Sequence, residues 1–130
     1  MNENHQMSAT LTLPGVERSV ASSRRFCRDM LGLDHPALDD VTTCVSEAFT
    51  NAVVHTRSGD GGKVTLAFFL GTALVVAEVT DEGADGALPR LKDDPLAVNG
   101  RGLQIIDSLT CAWSVRQAAG HTTMRMEFTL

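Results

Sequence analysis

The sequence predicts an α+β (α/β) two-layer sandwich, one mixed, mostly antiparallel sheet with helices packed on one face. Three observations carry this expectation. Residues 63–70, KVTLAFFL, and 73–81, ALVVAEVTD, are strand-like runs separated only by Gly71-Thr72, a gap that suits a tight hairpin and therefore antiparallel pairing. Near the C-terminus CAWSVRQ and TTMRMEFTL repeat that arrangement around Ala119-Gly120. Helical stretches come as two in succession before the first hairpin and one between the hairpins, so the chain lacks the strict alternation of a parallel βα protein.

Each element has its own signal. Residues 10–13 alternate and stop at Pro14-Gly15, a short first strand, and the polar residues 1–9 before it read as a flexible N-terminus. Residues 16–31 set Val16, Val20, Phe26, Cys27, Met30 and Leu31 among Arg18, Arg24, Arg25, Arg28 and Asp29, the pattern of a surface helix closed by Gly32. Its apolar residues beside an arginine-rich side also suit a dimer or partner surface. After the turn His35-Pro36, residues 37–55 read as a longer helix. Val41, Cys44, Val45, Ala48, Phe49, Ala52 and Val53 give it a broad apolar face, which Val54 widens until the helix looks largely enclosed. Residues 58–62, SGDGG, form a loop before the first hairpin. Glycines return in DEGADG at 81–86, and residues 87–99 have no clear period and read as a flexible segment. Gly100-Arg101-Gly102 opens a third helix over LQIIDSL.

With 130 residues the chain suits one domain whose core needs neither disulfides nor metal. Sixteen Asp+Glu against 11 Lys+Arg leave a formal charge of −5, which argues against direct contact with nucleic acid or an anionic membrane. Cys27, Cys44 and Cys111 are odd in number and form no C-x-x-C pair, so they read as reduced and mostly buried. His5, His35, His55 and His121 show no metal-ligand spacing. The start, MNENHQMSAT, has no basic n-region or apolar h-region, and no run reaches the length of a membrane span. A cytoplasmic protein is the expectation. An unrelated hydrolase is disfavoured, since no G-x-S-x-G elbow is present.

Within residues 37–55, Glu47, Asn51 and His55 recur four apart and drift only about 40° per step around the helix. A carboxylate, an amide and an imidazole thus form one stripe. Any surface helix shows polar residues at such intervals on its wet side, but beside so broad an apolar face the stripe is better placed to line a cavity. Asp81 ends an apolar strand, where its carboxylate is an acceptor for a base edge. Gly102, next to a helix start, leaves backbone N–H groups open to an anion, which the helix dipole also favours. Either glycine cluster taken singly is also explained by a turn.

Their order is more specific. Glu47-Ala48-Phe49-Thr50-Asn51-Ala52, then Asp81-Glu82-Gly83-Ala84-Asp85-Gly86, then Gly100-Arg101-Gly102-Leu103 resemble the E-x-x-x-N, D-x-G-x-G and G-x-G boxes of the Bergerat-fold (histidine-kinase-like, GHKL) ATPases. The resemblance covers nearly the whole chain, residues 10–130. It implies the Bergerat ATP-binding fold, with ATP and Mg²⁺ as cofactors. Asn51 would hold Mg²⁺ through its amide oxygen. Asp81 would accept a hydrogen bond from the adenine amino group, with Gly83 and Gly86 letting backbone approach the nucleotide. Gly100, Arg101, Gly102 and Leu103 would wrap the phosphates by backbone N–H groups, Arg101 adding a charge contact. Glu47 would orient or deprotonate an attacking hydroxyl. His55 stands where the family often has a basic residue, and Thr123 where it often has a threonine near the adenine aspartate. One departure is Asp85, which occupies the closing glycine position and displaces glycine to Gly86; a carboxylate there repels phosphate unless it points away or shares the cation.

Within that superfamily the chain is most similar to the small, single-domain anti-sigma-factor serine/threonine kinases. It has no room for the dimerisation helix of a sensor kinase or the transducer domain of a topoisomerase, and its lid candidate, residues 87–99, is short. The resemblance implies phosphorylation of an anti-anti-sigma factor and sequestration of a sigma factor, with a homodimer among the expected assemblies. The alternative is a non-catalytic adaptor, with or without nucleotide, that regulates a partner by sequestration alone. Glu47 favours the enzyme, because a pure adaptor has no chemical need for that carboxylate.

Overall fold

A computed structural model describes residues 7–83 and 100–130. The element order is β1 (Met7–Pro14), α1 (Ser19–Leu31), α2 (Leu38–His55), a short 3-10 turn (Arg57–Gly59), β2 (Lys63–Leu70), β3 (Leu74–Asp81), α3 (Gly100–Leu109), β4 (Ala112–Ala118) and β5 (His121–Thr129). The strands form one sheet in the order β1-β2-β3-β5-β4. Among the described residues every pairing is antiparallel, which bears out the mostly antiparallel two-layer sandwich and narrows its sheet to an antiparallel one. The reason lies in the connections. Two helices in succession return the chain to the end of the sheet where β1 stopped, and Lys63 pairs with Pro14.

Several boundaries differ from the sequence reading. β1 starts at Met7 rather than Thr10, because the alternation that turns Leu11 and Leu13 inward extends back to Ala9 opposite Phe68, and the pairing runs on to exposed Met7 opposite Leu70. Residues 7–9 therefore belong to the sheet. Residues 16–18 precede α1 as turns, with Ser19 N–H bonded to the Val16 carbonyl at 2.9 Å. Gly32 does close α1, at φ 90°. The first hairpin reverses over Thr72 and Ala73, one residue later than expected, with Gly71 N–H donating to the Leu74 carbonyl at 2.9 Å. In the second, Ala119 and Gly120 both have positive φ, 54° and 81°, as a type I′ turn demands. Among the described residues no helix is long and apolar enough to cross a membrane.

The helices cover one face of the sheet. Phe49, Val41, Val45 and Ala52 of α2 are buried with Leu66 and Phe68 of β2, Ala77 and Val79 of β3, Met124 and Met126 of β5, and Leu103 and Ile106 of α3. The opposite face carries polar pairs, among them Thr80 with Thr123 at 2.8 Å and Arg125 with Glu78 at 3.2 Å.

Candidate functional site

Burial of Ala48, Phe49 and Ala52 fixes the roll of α2, which leaves Glu47 and Asn51 half-buried at its flank. There they meet the start of α3. A Cβ on Gly102 would lie 3.1 Å from Glu47 Oε1 and 3.6 Å from Asn51 Nδ2, so a side chain there would crowd the Glu47 carboxylate and make it shift by a few tenths of an ångström. The Asn51 amide nitrogen is buried, with no hydrogen-bond partner among the described residues. An unmade buried hydrogen bond costs about 1–3 kcal/mol, which an oxygen-rich ligand at this place would remove.

The stripe does not stay enclosed. His55, in the last turn of α2, is exposed, and neighbouring Val54 is 61% exposed. Packing of the helix ends at Ala52 and Val53, which corrects the expectation that Val54 helps to enclose it.

Asp81 ends β3 on the helix-covered face. Its Oδ1 accepts the Gly83 N–H at 2.6 Å. Burial raises the carboxyl pKa above its ordinary value of 3.8, an effect opposed by the Gly83 hydrogen bond and by the positive charges of His121 and Arg57. Gly83 has φ 78°, and a Cβ there would lie 2.6 Å from the Gly120 carbonyl oxygen, so both conformation and space exclude a side chain. Beside this turn is a cleft of about 250 Å³ lined by Arg57, Gly83, Gln117, Ala118, Ala119 and Gly120. A larger cavity of about 350 Å³, between Pro36 and Asp40 on one side and Leu109 and Cys111 on the other, touches none of the expected site residues.

Thr123 lies elsewhere than the sequence reading put it. It pairs with Thr80, and the two hydroxyls bond across the outer face. The residue opposite Asp81 is Thr122, 6% exposed and on the same face as the carboxylate. The signal was available: Met124, Met126 and Phe128 are the apolar positions of β5, so the even-numbered residues face the helices and Thr122 goes with them.

Gly100, Arg101, Gly102 and Leu103 form the first turn of α3, whose N–H groups have no acceptor within the helix. Leu103 is fully buried in the core, so only its backbone is available to a ligand. Gly86, Asp85 and the lid candidate at 87–99 lie outside the described residues.

The carboxylate–amide pair, the strand-end aspartate and the glycine-opened helix are therefore carried by one fold in the expected order. The profile of the family described as "Histidine kinase-like ATPase domain" matches residues 13–128. The chain belongs to that family. This ATPase domain is 44% identical over 46 residues to an anti-sigma F factor of Clostridium acetobutylicum, a match covering 35% of this chain and 32% of the relative. In structure it is similar to the RsbU and RsbW domains of Rv1364c from Mycobacterium tuberculosis, with a TM-score of 0.67 and 23% identity over 95% of this chain and 32% of that one. The matched stretches thus cover about a third of the length of each of these two proteins.

Proposed function

We propose that this ATPase domain binds Mg-ATP and acts as a serine/threonine protein kinase on an anti-anti-sigma factor, sequestering a sigma factor when not so engaged. The convergence of Glu47, Asn51 and Gly102 supports the reading, since a carboxylate suited to a base and an amide suited to a cation lie beside a helix start suited to phosphate. Similarity to an anti-sigma F factor supports the choice of partners. A cytoplasmic location, and a homodimer or partner contact through α1, belong to the same reading.

The residues fit the cofactor. Magnesium takes one or two protein oxygens and completes its shell with phosphate oxygens and water. The Asn51 amide would offer its oxygen to the cation and its N–H, which has no partner among the described residues, to a phosphate oxygen. When bound, Mg-ATP supplies the transferable phosphoryl group and neutralises the charge around it. The chain's own residues do the rest. Asp81 accepts from the adenine amino group, with Thr122, rather than Thr123, beside it. Gly83 brings backbone to the ring, the N–H groups from Gly100 to Leu103 bind phosphate oxygens, and Glu47 takes the proton of the attacking hydroxyl.

Two substitutions separate these roles. Glu47→Ala is expected to bind nucleotide nearly as wild type does but to transfer phosphate to a candidate anti-anti-sigma protein about 10²–10⁴-fold more slowly. Asn51→Ala is expected to lose magnesium-dependent binding as well. Mass spectrometry of the partner, with melting curves for each variant, makes the comparison. Undiminished transfer by Glu47→Ala would remove the carboxylate as base, and nucleotide binding by wild type without transfer to any partner would leave the adaptor reading.

A further inference from the structure

The segment between α2 and β2 does more than connect them. Ser58, fully buried, donates its hydroxyl to the Lys63 carbonyl at 2.7 Å and accepts the Glu82 N–H at 2.9 Å. Its own N–H donates to Thr56 Oγ1 at 3.1 Å, and that hydroxyl donates to the Ala52 carbonyl in α2 at 2.6 Å. The Arg57 N–H reaches the Gly83 carbonyl at 2.8 Å. Glycines leave the clasp no slack: a Cβ on Gly15 would lie 2.1 Å from the Ser58 carbonyl oxygen, and one on Gly59 would lie 2.0 Å from that of Val53. A loop that only joined α2 to β2 would need no bond to the end of β3. This one runs from Ala52, the neighbour of Asn51, to Glu82, the neighbour of Asp81.

We infer that Ser58 is a positioning residue for the nucleotide, which sets the separation between the base end of the site at Asp81–Gly83 and the phosphate end at Asn51. The inference rests on the nucleotide reading above. A ligand gripped at both ends is sensitive to that separation, whereas one gripped at the base end is not. Ser58 touches neither group of the ligand and acts through the hydrogen bonds that hold α2 and the end of β3 in register.

Calorimetry with Mg-ATP and with adenosine tests this on the whole chain, at a temperature well below the melting point of each variant. Ser58→Ala leaves the Lys63 carbonyl and the Glu82 N–H without the hydroxyl that joins them and is expected to weaken Mg-ATP at least about tenfold, while adenosine changes by less than about twofold. Thr56→Val cuts the same path at α2 with little change of shape and should act alike, so the test survives if Ser58→Ala fails to fold; Thr56→Ser keeps the hydroxyl and should restore Mg-ATP affinity. An equal fall for both ligands would mean that the change acts at the base end and not on the spacing, and unchanged affinities would mean that the clasp does not set the spacing. Either result overturns the inference while the nucleotide reading stands. Wild type binding neither ligand would overturn both.

Discussion

Asp81 carries opposing demands in a single side chain. Burial raises its pKa, so the folded state holds its proton to higher pH than the unfolded state does. The sign follows from proton counting: this carboxyl's contribution to stability falls as pH rises from the ordinary value near 3.8 through the raised one, and is regained on acidification. Asp81→Asn removes the buried charge and keeps an oxygen that can accept the Gly83 N–H. Without ligand the variant is expected to melt at or above the wild-type temperature at pH 7, yet to bind adenine nucleotide poorly, because its amide can present a donor where an acceptor is wanted. Thermal melts paired with calorimetry decide this. A lower melting temperature at pH 7 would mean that the carboxylate stabilises the turn more than burial destabilises it.

At the scale of elements α2 has two duties, and its packing face sets the direction of its polar one. Phe49→Ala is expected to cost about 3–5 kcal/mol in urea unfolding, as for other fully buried phenylalanines, and to loosen the Glu47–Gly102 contact with it. Most of this was legible in the sequence. Helical spacing from Val41 to Ala52 marked the buried face, and the apolar runs located β2 and β3. What was not legible was where tertiary cover stops. Val54 has the residue type of the core but stands past the last packed turn, and no local pattern reports the ends of neighbouring elements. Thr122 and Thr123 differ only in parity, so a site placed by family position alone landed on the outer face, although the alternation of β5 held the answer. The clasp at Ser58 was hidden for another reason. Its partners, Thr56, Lys63 and Glu82, become neighbours only after β2 and β3 have paired.

Across the whole molecule, the three thiols sit in different places. Cys27 on α1 and Cys44 on α2 are buried, and burial pushes their pKa values up to about 11 and about 12, whereas Cys111 is exposed. At pH 8 an alkylating reagent is expected to modify Cys111 promptly and the other two only when the helical layer opens, which intact-mass measurements over time would show. Prompt reaction at Cys44 would mean that α2 lifts from the sheet without global unfolding. The strand order bears on a different clock. Asp81 and Thr122 face each other across β3 and β5, which come from separate hairpins and pair only over a long stretch of chain. During translation β2, β3 and α2 emerge early and can pack, but the base end of the site lacks one wall until the last strand has left the ribosome and closed the seam. On the nucleotide reading proposed above, full affinity therefore awaits the pairing of β3 with β5.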